Sequence, residues 1–104
     1  MSDIVLCHFS ELANGEARRF EVEGRALVVV RIEDEVYCLD DMCSHEDFPL
    51  SDGDVTVKEC EIECVRHGSG FSLKTGEPNS FPATQAVPTY QVIRRDDDVV
   101  VTLS

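Results

Sequence analysis

Two short runs constrain this chain more than anything else in it: Cys43-Ser44-His45 and, after eighteen intervening residues, Cys64-Val65-Arg66-His67. Each run offers a thiol and an imidazole, side chains that bind transition metals as thiolate and neutral ring nitrogen. In an extended segment residues i and i+2 project to one side, so Cys43 and His45 can face a common centre from one loop. The second run presents the same pair of groups where the chain turns after Cys64. A scaffold that serves both must carry two loops at one end of a rigid framework.

The rest of the sequence supplies strands for such a framework. Segments 4–9 and 18–23 are short and β-compatible, and the stretch between them is rich in turn residues. Arg25 to Ile32 holds Leu27, Val28, Val29, Val30 and Ile32, a β-branched run too stiff to favour helix, and it reads as the most buried strand. Glu33-Asp34 connects it tightly to 35–40, so a hairpin ends just before the first Cys–His pair. From Asp41 to Asp54 the composition turns to Cys, Ser, His, Pro, Asp and Gly, which is loop chemistry. Segments 55–57 and 60–64 alternate polar with apolar, which places Cys64 at the end of a strand. Phe71 to Leu73 with a turn at Thr75-Gly76 predicts a small hairpin, and Pro78, Pro82 and Pro88 punctuate the next segment. Segments 89–94 and 99–103 flank Asp96-Asp97-Asp98 as a strand pair closed by an acidic turn. Nothing carries a helical period. The expected fold is all-β, an antiparallel β-sandwich in one domain spanning 1–104, with loops at about 41–54 and 64–71 forming a small inserted subdomain.

Charge and cysteine usage narrow the partners. Twenty-one acidic against nine basic residues give a net charge of −12, which repels nucleic-acid backbones and anionic lipid. The same balance suits docking to a basic patch on another protein, although plain solubility explains it equally well. Five cysteines are an odd number, and two of them pair with histidines, so a reducing compartment fits better than a disulfide framework. Met1-Ser2-Asp3-Ile4 lacks the basic, apolar start of a signal peptide, and no apolar run reaches membrane-spanning length. A cytoplasmic protein is expected, with no nucleic acid and no membrane among its partners. Cys7, Cys38 and Cys60 lie in strand-like runs and read as small buried hydrophobes, and His8 as a surface position.

A Cys2His2 set also suits zinc, and a zinc-binding module is one reading of this chain. A single tetrahedral ion is usually held by ligands two to four residues apart in each half, which Cys-x-His fits less well. Cys43-x-His45 followed by Cys64-x-x-His67 resembles the Rieske signature. That resemblance implies one [2Fe-2S] cluster, with Cys43 and Cys64 on one iron and His45 and His67 on the other. It also implies the Rieske fold, in which a proline-containing loop, here near Pro82, covers the cluster, and in which Leu50 and Gly53 match a hydrophobic shield and the turn after it.

The resemblance refines the subtype. High-potential Rieske proteins join the two ligand loops by a disulfide, but the matching positions here are Phe48 and Arg66. Ser69 matches their hydrogen-bonding serine, whereas Phe71 stands where they place a tyrosine. Fewer donors to the cluster imply a potential toward the lower part of the roughly −150 to +300 mV Rieske range. This pattern is similar to that of the Rieske ferredoxins that carry single electrons from a flavin-dependent ferredoxin reductase to the terminal oxygenase of a ring-hydroxylating dioxygenase system. The expected protein is a monomeric carrier and not itself an enzyme: it has no G-x-G-x-x-G for a nucleotide and no length for a catalytic domain. Glu46 and Asp47, directly after His45, argue against a quinone pocket at the tip. The alternative is an accessory Rieske protein of another redox system, such as a nitrite-reductase small subunit or a carrier for iron–sulfur assembly.

Overall fold

The computed structural model describes residues 2–41, 49–63, 70–78 and 86–103. Among these residues nine strands form two antiparallel sheets: β1 Ser2–His8, β2 Ala17–Val22, β3 Arg25–Ile32, β4 Glu35–Asp40, β5 Val55–Thr56, β6 Glu61–Glu63, β7 Gly70–Ser72, β8 Thr89–Arg95 and β9 Asp98–Leu103. The larger sheet has the order β1-β9-β8-β4-β3-β2, and the smaller is β5-β6-β7. The expected all-β architecture with a small separate subdomain is therefore what the chain adopts.

The large sheet consists of two three-stranded halves joined by a short pairing of Cys38 with Tyr90 and Leu39 with Thr89. Its inner face gathers Phe9, Leu12, Leu27, Val29, Val36, Cys38, Val99, Val101 and Leu103 into one core. A second core lies between the large sheet and the small one, made of Val28, Val30 and Leu39 with Leu50, Ile62, Phe71, Leu73 and Val87. Strand β3 explains its own composition. Successive side chains point to opposite faces, so Leu27 and Val29 enter one core and Val28 and Val30 the other, and all four are fully buried. Each such burial contributes about 1.5–3 kcal/mol relative to exposure.

Three local readings of the sequence are corrected. Phe9 leaves β1 and opens a single 3-10 turn, Phe9–Glu11, because its N–H turns to the carbonyl of Asp97 at 2.6 Å. Cys60 is not the first residue of β6 but the last of a tight turn, with φ of 57°, and β6 begins at Glu61. The acidic turn shrinks to Asp96 and Asp97, since Asp98 already pairs with Arg95. Asp97 is fastened in place: Ser10 donates to its carboxylate from N–H at 3.0 Å and from Oγ at 2.8 Å.

The isolated thiols behave as expected of packing residues. Cys38 is buried, and Cys7 and Cys60 are half-buried against the two cores. His8 is exposed on the first strand, 3.2 Å from the Asp98 carboxylate.

Candidate metal centre

Cys43, His45, Cys64 and His67 lie outside the described residues, as do Glu46, Asp47, Phe48, Arg66, Ser69 and Pro82. What the structure defines is the rim from which their segments arise. Among the described residues, no three His, Cys, Asp or Glu side chains converge as a metal site.

The rim is continuous. Strand β4 ends at Asp40, and Asp41 comes next, with a backbone hydrogen bond to Ala26 of β3 at 2.9 Å. The Asp41 carboxylate then accepts from both the N–H and the Oγ of Ser51, each at 2.6 Å. The described residues on either side of 42–48 are thus bonded to each other, which forms a neck. Ser51 sits in a one-turn 3-10 helix, Leu50–Asp52, which is held down by the fully buried Leu50 and ends where Gly53 N–H reaches the Leu50 carbonyl at 2.9 Å.

From that turn the rim passes to the small sheet. Glu63, the residue before Cys64, donates its N–H to the Asp54 carbonyl at 2.8 Å, and Val55 pairs with Ile62. Gly53 has to be glycine: a Cβ there would overlap the carbonyl of Glu63. Glu63 also faces Gly70 across β6 and β7, so residues 64–69 form the connection of that hairpin. Leu50, which the resemblance matches to a hydrophobic shield, is fully buried in the core between the sheets. Phe71 is fully buried in that same core, next to the rim.

The third segment, 79–85, is rooted on the same rim. Pro78 bridges to Phe71, and on the return Val87 donates to the Gly76 carbonyl at 2.8 Å while the Pro88 carbonyl accepts from Asp40 N–H at 2.9 Å. Gly76, at φ of 78°, lies so close to the Val87 carbonyl that a Cβ would overlap it. The donor set and this frame fit a group held by both loops. Each Cys–His segment starts from a hydrogen-bonded root, and one hydrogen bond links the return of the first to the strand that leads into the second.

Two polar features beside the rim have no local signature in the sequence. Asp41 is the buried charged residue among those described, and Arg19 Nη1 of β2 donates to it at 3.2 Å. Tyr90 donates its hydroxyl to Asp40 at 2.6 Å, and burial followed by that bond pushes the phenol up from its ordinary value. Both are pairings between residues far apart in the chain, which local composition does not encode.

Comparison with known proteins agrees with this frame. The sequence matches the family model for the Rieske [2Fe-2S] domain over residues 2–91. The 3-phenylpropionate/cinnamic acid dioxygenase ferredoxin subunit of Photorhabdus laumondii is 32% identical over 104 residues, covering 100% of this chain and 97% of that protein. The solved ferredoxin of carbazole 1,9a-dioxygenase from Nocardioides aromaticivorans superposes with a TM-score of 0.96 at 29% identity, covering 100% of both chains. A structure described as the complex of reduced oxygenase and oxidized ferredoxin in carbazole 1,9a-dioxygenase matches with a TM-score of 0.90 at 32% identity, over 96% of this chain and 92% of that one.

Proposed function

The chain belongs to the Rieske [2Fe-2S] family, and from that premise we propose that it is the ferredoxin component of a ring-hydroxylating dioxygenase system. It carries one Rieske-type [2Fe-2S] cluster and transfers electrons rather than catalysing a reaction on a substrate. Cys43 and Cys64 hold one iron, and His45 and His67 hold the other. The whole chain is one domain, residues 1–104, built to present that centre.

The observation that carries this reading is the shared rim. The roots of the two segments bearing the Cys–His pairs lie side by side, with Glu63 N–H on the Asp54 carbonyl, and Leu50, Ile62 and Phe71 beside those roots belong to one core. The bound cluster supplies a one-electron couple. The chain's own part is to hold the four ligands in a fixed mutual geometry, so that little rearrangement accompanies the change of charge. Imidazoles are neutral donors, so the histidine pair leaves its iron the easier one to reduce.

The electron acceptor is a terminal oxygenase, a reading supported by the likeness to a ferredoxin solved in complex with its oxygenase. The donor is a flavin-dependent ferredoxin reductase, and the setting is the cytoplasm. Among the described residues no helix is long and apolar enough to cross a membrane.

Anaerobic purification followed by visible spectroscopy and iron and sulfide analysis tests the assignment. The expected product is a coloured protein with two irons and two sulfides per chain, reduced by one electron and reoxidised by an oxygenase component. A colourless protein loaded with zinc would sink it.

A further inference from the structure

Asp41 departs from the rule that carboxylates stay in water unless something compensates them. Its side chain is 0% exposed, whereas that of Arg19, its cationic partner, is 43% exposed. One carboxylate oxygen accepts Ser51 N–H at 2.6 Å; the other accepts Ser51 Oγ at 2.6 Å and Arg19 Nη1 at 3.2 Å. Three donors thus converge on one buried acid at the neck of the segment that holds Cys43 and His45.

The position of this acid matters more than its charge. Asp41 stands two residues before Cys43, and the turn that begins at Leu50 comes directly after the segment. A loop of this length left to itself samples many conformations, and ordering each of its residues costs roughly 1–2 kcal/mol. Joining residues 41 and 51 fixes the ends of that loop before any metal arrives, which removes its closure entropy in advance. Through Gly53 and Asp54 the same neck is bonded to Glu63, which precedes Cys64. The clasp therefore sets the separation between the roots of the two cysteine ligands.

We propose that Asp41, with Ser51 and Arg19, is a positioning residue of the metal centre, a clasp that pre-organises the Cys43–His45 loop and so governs how tightly the cluster is retained. The proposal rests on the Rieske reading for its ligands, but the clasp itself stands on the geometry of residues 19, 41 and 51. Asp41 touches neither iron nor sulfide in this scheme. It acts through the loop, in the way that partners behind metal ligands hold them in place.

The test uses the full chain with its cluster. Iron release to a chelator is timed in wild type, Asp41→Ala, Asp41→Asn and Ser51→Ala, alongside urea unfolding and the electron paramagnetic resonance spectrum of the reduced protein. Asp41→Ala is expected to release iron about tenfold faster or more, with shifted or broadened resonances, as losses behind metal ligands commonly do. Ser51→Ala, which keeps the backbone donor, should show a smaller acceleration. Asp41→Asn should lie nearer wild type, because its carbonyl still accepts Ser51 N–H and its amide can donate to Ser51 Oγ.

Iron release from Asp41→Ala at the wild-type rate overturns the clasp. So does an acceleration that merely tracks faster global unfolding with an unchanged resonance spectrum, since that is the mark of general destabilisation. If Asp41→Ala does not fold, Ser51→Ala decides the matter by the same two readouts. A wild-type chain that assembles no cluster overturns the Rieske reading instead. The clasp is then judged on the apo chain: exchange protection of the Ser51 amide that is kept in wild type and Asp41→Asn and lost in Asp41→Ala supports it, and protection absent from wild type or unchanged in Asp41→Ala overturns it.

Discussion

Glu63 and Gly70 face each other as the last register pair of β6 and β7, so the segment that begins at Cys64 leaves the sheet at a point fixed by a backbone pairing. His67 belongs to the connection that this pair closes. A root anchored in this way leaves little room for a nearby donor to take the place of Cys64. The half-buried Cys60, at the far end of β6 in a turn of its own, is separated from that root by the three-residue strand. Cys64→Ala is therefore expected to abolish cluster assembly, and Cys43→Ala, His45→Ala and His67→Ala to do the same or to leave a fragile centre. Iron and sulfide content with the visible spectrum checks this, and full content with an unchanged spectrum in Cys64→Ala would refute the ligand assignment.

Gly53→Ala probes the link between the two loops. Its new methyl would overlap the Glu63 carbonyl, and the far side of that contact is backbone, which cannot rotate away. A destabilisation of about 1–3 kcal/mol is expected, typical of overpacking. Urea unfolding measures it, and the variant should also lose iron faster than wild type.

Alkaline pH, compared with and without the thiol, probes Cys38. Burial, with the Asp40 charge as the lesser cause, pushes its thiol up to about 12 from 9.0. The unfolded chain releases this proton near 9.0 and the folded chain holds it, so the contribution is fully present below pH 9.0 and is lost as pH rises toward about 12. Over that window it steepens the loss of stability by up to about 1.4 kcal/mol per pH unit. Cys38→Ala is less stable at neutral pH through its cavity, but its stability should fall less between about pH 8 and about pH 10. Anaerobic urea midpoints for both proteins at the two pH values give the comparison, and parallel slopes would count against it.

Phe71→Tyr tests the tuning of the potential. Phe71 is fully buried in the core next to the rim, and by the Rieske resemblance a hydroxyl added there would donate to the sulfur of Cys43. A hydrogen bond to a charged group contributes about 1.5–3 kcal/mol, and taking a third to a half of it as redox-dependent gives a rise of roughly 20–65 mV. Voltammetry of the two proteins in one buffer decides. An unmoved potential with lowered stability would place the hydroxyl in the apolar core, away from the sulfur.

Salt dependence tests the docking of redox partners through the histidine tip, where Glu46 and Asp47 come directly after His45 in the chain. Electron transfer from the reductase should slow as salt rises, because charges separated by more than about 8 Å are screened at physiological ionic strength. A second-order rate that ignores salt would argue for an uncharged interface, and one that rises with salt for like charges facing each other, and either would count against this steering.

The sequence was most legible where the physics is local. The hairpin from β3 to β4 comes from a stiff apolar run, a Glu33-Asp34 turn and an alternating return, and the strand pair β8–β9 from its acidic turn. The Cys–His spacing pointed to a family before any fold was in view. Legibility failed where a long-range partner overrides local preference. Cys60 alternates like a strand residue but is held in a left-handed turn, with its carbonyl accepting Leu73 N–H at 3.0 Å. Asp41 reads as ordinary loop chemistry, and only the approach of Ser51 and Arg19 turns it into a buried acid.

Strand β3 belongs to two interiors at once, with Leu27 and Val29 on one side and Val28 and Val30 on the other. Among the described residues the small sheet, whose strands span two and three residues, has no second layer of its own and packs against β3 and β4. Excising it would strip Leu50, Ile62, Phe71 and Leu73 of the Val28, Val30 and Leu39 side chains they pack against. Damage to either interior is passed through a single backbone to the other. The metal-bearing tip and the body of the protein should accordingly melt together, in one cooperative transition.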